Sequence, residues 1–384
     1  MSKRNAGEGS IFQRSDGRWS AILNLGFENG KRRRKYLYGA TAQEVQDALL
    51  RARNDQKLGL PIIVERQTVA QFLDAWLQDS VKPSVRALTF EQYGQHLKLY
   101  LKPLLGHHPL AKLAPQHVRA FITRKLADGL SPRTVQLSLA ILRRALGQAL
   151  KDGLIPRNVA KLVDAPRWRR PEILPWTPDE AGKFVTAIVG ERLEAAYLVA
   201  LSLGLRRGEV LGLRWSDVNL EAKTVTIAQS LARIGGKGGS LQFVEPKSSQ
   251  SRRTLPLHDG LVAALKTHRR HQLEERLAAG SLWIDGGLVF TSGIGTPLEP
   301  RRLNADFERI VAGASVRRIR FHDLRHSAAS YLLALGVHPR VVMELLGHSQ
   351  ISLTMETYSH VMPDAMREAV GRIESMLGKP AAAS

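Results

Sequence analysis

The stretch from Phe321 to His360 gathers two histidine–arginine clusters and a tyrosine on what read as successive short helices. His322 and Arg325 are three positions apart, so on a helix they share a face. His348 follows Leu346-Gly347, where the glycine reads as a helix end. Tyr358 comes shortly before Pro363, which starts the last helix. Leu324, Ala328, Tyr331, Leu332, Leu335, Val342, Leu345 and Leu346 recur at helical spacing and give the polar residues a packed core to stand on. A group that binds phosphate and delivers a tyrosine hydroxyl to it needs these parts. Each residue also has a plainer use. Tyr358 alone would serve as a core tyrosine, and the His322/His326 pair has a spacing that can bind zinc. Asp323 stands where the zincin pattern has glutamate, and Arg325 would place a cation beside the metal, so no metal site is expected.

With its flanking boxes the stretch resembles the tyrosine recombinases, or phage-type integrases. His322-Asp323-Leu324-Arg325-His326 is similar to the family's second motif. Leu346-Gly347-His348 with Ile351, Thr354 and Tyr358 is similar to the third, which ends in the nucleophile. The first lies upstream as Gly204-Leu205-Arg206-Arg207-Gly208-Glu209, followed by Leu213-Arg214-Trp215-Ser216-Asp217. Glu245-Pro246-Lys247, then Ser251-Arg252 and Leu255-Pro256-Leu257, resemble the family's hairpin-lysine pattern and single out Lys247 over Lys223 and Lys237. The resemblance is strong from Pro171 to Met376 and looser upstream; the visible departure is Leu203, where many relatives carry threonine.

The chemistry fits the residues. Attack on a phosphodiester needs a nucleophile in line, cations on the non-bridging oxygens and a proton donor for the leaving oxygen. Arg206 and Arg325 suit the second role, because a planar guanidinium binds two phosphate oxygens at once. Arg206 could instead cap its helix or pair with Glu209 or Asp217; Glu209 itself reads as orienting the arginine. Tyr358 is the candidate nucleophile. Its ordinary pKa of about 10 calls for arginine proximity or a base, and His322 could serve. His348 can donate a hydrogen bond to the scissile phosphate, and Lys247 could protonate the departing 5′ oxygen. The product would be a 3′-phosphotyrosine and a free 5′-hydroxyl, with no cofactor required.

Composition agrees with a polyanionic partner. Lys+Arg number 56 against 35 Asp+Glu, a formal net charge of +21 over 384 residues. The absence of cysteine excludes disulfides, thiolate metal sites and thiol nucleophiles. The longest apolar run, Ala195–Leu205, falls short of the ~20 residues that cross a bilayer. With a polar start, Met1 to Ser10, the expectation is a cytoplasmic, nucleoid-associated protein of a bacterial cell.

The elements suggest a multidomain, mainly α chain with small β-sheets. Residues 1–60 read as three strands (Ser10–Arg14, Arg18–Leu25, Arg32–Tyr38) and a helix opened by the capping box Thr41-Ala42-Gln43-Glu44. Ile11, Trp19, Ile22, Leu37, Val45 and Leu49 are its expected core. Arg32, Arg33, Arg34 and Lys35 on the third strand are candidate DNA contacts, although alternation sends them to both faces; a charged edge strand is the plainer reading. Residues 66–165 read as a helical bundle with helices over Thr68–Gln78, from Thr89 through Tyr100, from Pro115 to about Leu126 and from Pro132 to about Asp152. Lys98, Arg133 and Arg143 are its candidate DNA contacts, while Tyr93 and His96 read as packing. Residues 172–384 form an α+β domain. It opens on the capping box Thr177-Pro178-Asp179-Glu180 and has strands at Thr224–Leu231, Gly239–Glu245 and Arg252–Leu257.

The resemblance names these parts: an arm-type DNA-binding domain, a SAM-like core-binding domain and a tyrosine recombinase catalytic domain. It implies a site-specific recombinase that integrates or excises a phage or mobile element. It further implies a homotetramer on double-stranded DNA with core and arm sites, helped by a DNA-bending accessory protein and a directionality factor. The rivals are a non-catalytic DNA-binding regulator on the same scaffold, a Xer-type resolvase, a metal-dependent nuclease and a type IB topoisomerase.

Overall fold

The computed structural model describes residues 10–15, 17–28, 31–57, 67–169, 174–235, 238–245 and 252–347. It divides into two compact units, Met1–Arg169 and Arg170–Ser384, each with its own hydrophobic cores. Among the described residues no helix is long and apolar enough to cross a membrane.

The first unit begins with an antiparallel sheet of β1 (Ser10–Gln13), β2 (Trp19–Glu28) and β3 (Lys31–Gly39), followed by helix α1 (Ala42–Lys57). Its core is Ala21, Leu23, Val45, Leu49 and Ala52, flanked by Ile11, Trp19 and Leu37. Ile22, expected inside, is not part of it. Residues of a strand alternate between faces, so a core holding Trp19, Ala21 and Leu23 sends Ile22 to the other side, in register with Ser10 and Tyr36. The basic segment lies on β3, where Arg32 pairs with Phe27 and Arg34 with Asn24. Leu25 and Gly26 of β2 therefore face the single Arg33, a bulge that sharpens the local twist.

The same unit continues as a bundle: α2 (Val69–Trp76), α3 (Ala87–His96), α4 (Lys102–Leu105), α5 (Pro115–Ala127) and α6 (Pro132–Lys151). Helices α2 and α3 each run on into a π-helical turn, Leu77–Val81 and Leu97–Leu101, which side-chain periodicity does not announce. Helix α3 starts two residues earlier than its Thr89 signal because the Arg86 carbonyl accepts from both Thr89 N–H and Phe90 N–H. Tyr93 and His96 pack, as expected. Tyr93 stacks on Trp76 at 6.1 Å, and the buried His96 ring bonds Ser138 through Nδ1 at 2.8 Å. Arg143 is not free to reach outward. Its Nε donates to the Ala160 carbonyl at 3.0 Å and its Nη2 to the Val163 carbonyl at 2.6 Å, closing the bundle's last segment on itself.

The second unit opens on α7 (Pro178–Ala187), where Thr177 and Glu180 form the expected capping box. It continues with α8 (Glu194–Leu203), α9 (Arg207–Leu211), the short strand β4 (Val218–Asn219), then β5 (Thr224–Ile227), β6 (Ser230–Ile234), β7 (Ser240–Val244) and β8 (Arg253–Pro256). Helices α10 (Asp259–Ala279), α11 (Pro300–Gly313), α12 (Asp323–Ala334) and α13 (Pro339–Leu346) follow. The strand expected over Thr224–Leu231 is two strands in two sheets: β5 sits between β4 and β8, while β6 pairs only with β7. The break falls at Ala228-Gln229, where the Gln229 side chain is anchored by an Nε2 hydrogen bond to the Gly212 carbonyl at 2.7 Å.

Trp176, Phe184, Tyr197, Phe307 and Phe321 pack their rings together at the centre of this unit. Phe321 lies two residues before the first residue of α12, with His322 as the cap between them, so the cluster fixes where that helix starts. The helix is then pinned: Trp176 N–H donates to Ser327 Oγ at 3.0 Å and the Tyr331 hydroxyl donates to the Trp176 carbonyl at 2.8 Å. Helix α8 ends on Gly204 at φ +60°, and a Cβ there would lie 2.4 Å from Leu346 Cδ2 of α13. Gly204→Ala therefore combines a left-handed backbone cost of about 1–2 kcal/mol with overpacking of about 1–3 kcal/mol. Gly190→Ala, at φ +79° with nothing within 4 Å, carries the backbone cost alone. Paired denaturant melts should show the Gly204 variant losing clearly more stability.

Candidate active site

The turn after α8 carries the first box. Gly204 and Leu205 lead into Arg206, which stands at the amino-terminal cap of α9 with an extended backbone. Its side chain stays 39% exposed, enough to meet a ligand. Arg206 Nη1 donates to Glu209 Oε1 at 2.7 Å, Glu209 Oε2 accepts from Arg206 N–H at 3.1 Å, and Arg206 Nη2 donates to the Gly347 carbonyl at 3.0 Å. Of the sequence alternatives for Arg206, capping and pairing with Glu209 both occur. They aim the guanidinium and leave part of its surface open.

Glu209 is buried and also takes Arg253 Nη2 on Oε2 at 3.1 Å. Burial by itself would raise this carboxyl, but Arg253, Arg206 and the cap hydrogen bond outweigh it and hold Glu209 below the usual carboxylate value. An ionised carboxylate between two guanidiniums results.

The second box begins α12. Arg325 is 2% exposed and donates from Nη1 to the Gly204 carbonyl at 2.8 Å, so the second arginine is braced against the turn that presents the first. Asp323 is buried and bound by Arg320 through its backbone N–H, Nε and Nη2 at 2.7–3.0 Å. That bond set fixes the first turn of α12 and makes Asp323 a structural anchor. His322 lies at the helix start with its residue open to solvent. Partial burial of the ring first, then the Arg325 guanidinium, hold its imidazole below the ordinary value. At neutral pH it is therefore uncharged and able to accept a proton. The rings of His322 and His326 meet edge to face at 5.5 Å, and among the described residues no three potential metal ligands gather.

The structure thus brings Arg206, His322 and Arg325 to one neighbourhood, where Arg206 and Arg325 both act on the His322 ring electrostatically. Lys247, His348 and Tyr358 lie outside the described residues. In the first unit Lys98 is exposed, and exposed Arg133 lies over the Trp168 ring at 5.0 Å, whereas Arg143 is committed to carbonyls. The side chains of Arg32, Arg33, Arg34 and Lys35 are outside the described set. Sequence reasoning missed Arg253. Its signal was a charge on the inward-facing parity of β8, two residues before buried Leu255.

Residues 177–364 match the Phage integrase family, and residues 68–126 match the phage integrase N-terminal SAM-like domain. A tyrosine recombinase XerC-like protein of Caldanaerobacter subterraneus subsp. tengcongensis is 31% identical over 366 residues, spanning 91% of this chain and 93% of that relative. An integrase of Saccharopolyspora erythraea is 30% identical across 96% of each chain. Among solved structures, the Tn1549 transposon integrase in complex with a circular intermediate DNA superposes with a TM-score of 0.67 at 23% identity, covering 80% of this chain and 100% of that one. The chain belongs to the phage integrase family and is a tyrosine-type site-specific DNA recombinase, an enzyme that cuts and rejoins DNA.

Proposed function

We propose that Arg206, Lys247, His322, Arg325, His348 and Tyr358 form the catalytic centre. The observation that carries this reading is the convergence of Arg206, Arg325 and His322 on the Gly204 turn. The two arginines bind the non-bridging oxygens of the scissile phosphate, and their charge stabilises the transition state without a cofactor. The Tyr358 oxygen attacks phosphorus as its proton passes to neutral His322. The bond from phosphorus to the 5′ oxygen breaks as Lys247 protonates that oxygen, and His348 donates a hydrogen bond to the phosphate. A 3′-phosphotyrosine and a 5′-hydroxyl result; attack by a 5′-hydroxyl from the other duplex reverses the step and rejoins the strands.

The described tyrosines of this unit suit the nucleophile role poorly. Burial, then the Asp306 and Glu191 carboxylates, push the Tyr197 phenol well above its ordinary value. Tyr331 is likewise raised by burial and its hydroxyl is bound to the Trp176 carbonyl.

Exchange between two duplexes cuts four strands, and each chain supplies one such tyrosine. A homotetramer passing through a Holliday junction is the assembly this chemistry needs. In this reading the bundle grips core DNA through exposed cations such as Lys98 and Arg133, and the β-sheet unit with Arg32, Arg33, Arg34 and Lys35 engages separate arm sites. Distant arm sites would be brought to the crossover by a DNA-bending partner, with a directionality factor setting the outcome, and the reaction would run in the cytoplasm on a phage or mobile element. On a nicked suicide duplex carrying the recognised site, wild type should form a denaturant-resistant adduct and Tyr358→Phe none, with DNA affinity kept. Equal loss of binding and cleavage would remove Tyr358 from the nucleophile role.

A further inference from the structure

We propose that Arg253 is a positioning residue for strand cleavage, holding the carboxyl-terminal end of α13 and the Glu209 carboxylate in one fixed relation and, through Glu209, aiming Arg206. The inference rests on the reading of Arg206 as a phosphate-binding arginine. Arg253 projects from β8, the strand next to β5, and its side chain is 8% exposed. From there Nε donates to the Leu345 carbonyl at 2.7 Å and Nη2 donates to Glu209 Oε2 at 3.1 Å. Leu345 O is among the last carbonyls of α13, which the helix cannot satisfy internally. Two residues on, the Gly347 carbonyl accepts from Arg206.

The end of α13 is therefore held by two arginines, and the carboxylate that aligns both lies between them. Gly347 fits this grip closely. It is left-handed at φ +65°, and a Cβ there would sit 2.9 Å from Arg253 Nη1. His348, the candidate hydrogen-bond donor to the scissile phosphate, is the next residue in the chain. A planar fork suits this double task because it bonds in two directions at once, which a lysine ammonium on a flexible stem does poorly. Removing Arg253 also removes the leading charge that keeps Glu209 ionised. A protonated Glu209 would lose its ion pair with Arg206.

The test uses the full chain on the suicide duplex, with Arg253→Lys, Arg253→Gln and Arg206→Gln compared for single-turnover adduct formation, DNA affinity, melting temperature and pH profile. Arg253→Gln should cleave about 100-fold more slowly and Arg253→Lys about 10-fold, the scale expected when reacting groups are slightly misplaced, with affinity kept. The acid limb of cleavage should move to higher pH in Arg253→Gln and stay in place in Arg253→Lys, which keeps a charge beside Glu209. Should Arg253→Gln not fold, the lysine variant alone must show slower cleavage with melting and affinity retained. An unmoved acid limb, with binding, melting and cleavage falling together, would make Arg253 merely structural and overturn the proposal. Arg253 variants cleaving like wild type while Arg206→Gln is inactive would overturn it alone. Normal cleavage by Arg206→Gln would overturn the underlying site reading.

Discussion

Glu209→Ala is expected to destabilise the second unit by about 3–5 kcal/mol, because removing one member of a buried ion-paired set leaves its partners uncompensated. Arg253 would be left 8% exposed beside an empty carboxylate position, and Arg206 would lose both its ion pair and the bond to its own N–H. For a unit of this size the loss corresponds to a melting shift of about 6–20 °C. The sign with pH follows from the lowered carboxyl. Its stabilisation is fully present above the ordinary value of 4.5 and is lost as pH falls through the lower native value. Wild type should thus show an acid-side decline in melting temperature that the alanine variant shows less steeply. Parallel melting curves across that range would mean that Glu209 is not the ionised hub the geometry describes.

Arg325→Lys is expected to slow cleavage by about 100- to 1000-fold, the scale seen when one preorganised donor to a developing oxyanion is lost. The substitution keeps the charge, so long-range attraction for DNA is retained. It removes the planar fork whose Nη1 bonds the Gly204 carbonyl, and with it the two-pronged geometry proposed to meet the phosphate. The fall should appear in the single-turnover rate constant, with affinity nearly unchanged. A fall in affinity that accounts for the whole effect would make Arg325 a binding residue only.

The described part of the candidate site, Arg206, His322 and Arg325, was legible in the sequence because phosphate chemistry asks for particular side chains at particular turns. Arg206 follows a glycine that must be left-handed, and Arg325 follows His322 by a helical step, so both boxes carry their geometry in their spelling. What was not legible depended on contacts far apart in the chain. Arg253 was one basic residue among 56 until β8 and α13 came together. The division of Thr224–Leu231 into β5 and β6 hangs on a Gln229 bond to Gly212, which no local pattern encodes. Arg143 read as a surface cation because a helical wheel cannot show that the segment after α6 folds back and offers it two carbonyls. Ile22 was misplaced for a simpler reason: strand parity already tied it to the face opposite Trp19.

The most direct test of the account is to locate the covalent link. Wild-type adduct formed on the suicide duplex with chelator present would be digested with trypsin and nuclease and read by mass spectrometry. A nucleotide-modified peptide running from Val341 to Arg367 is expected, with the modification on Tyr358. A nucleotide on another residue, or cleavage that leaves no adduct and stops with chelator, would contradict it.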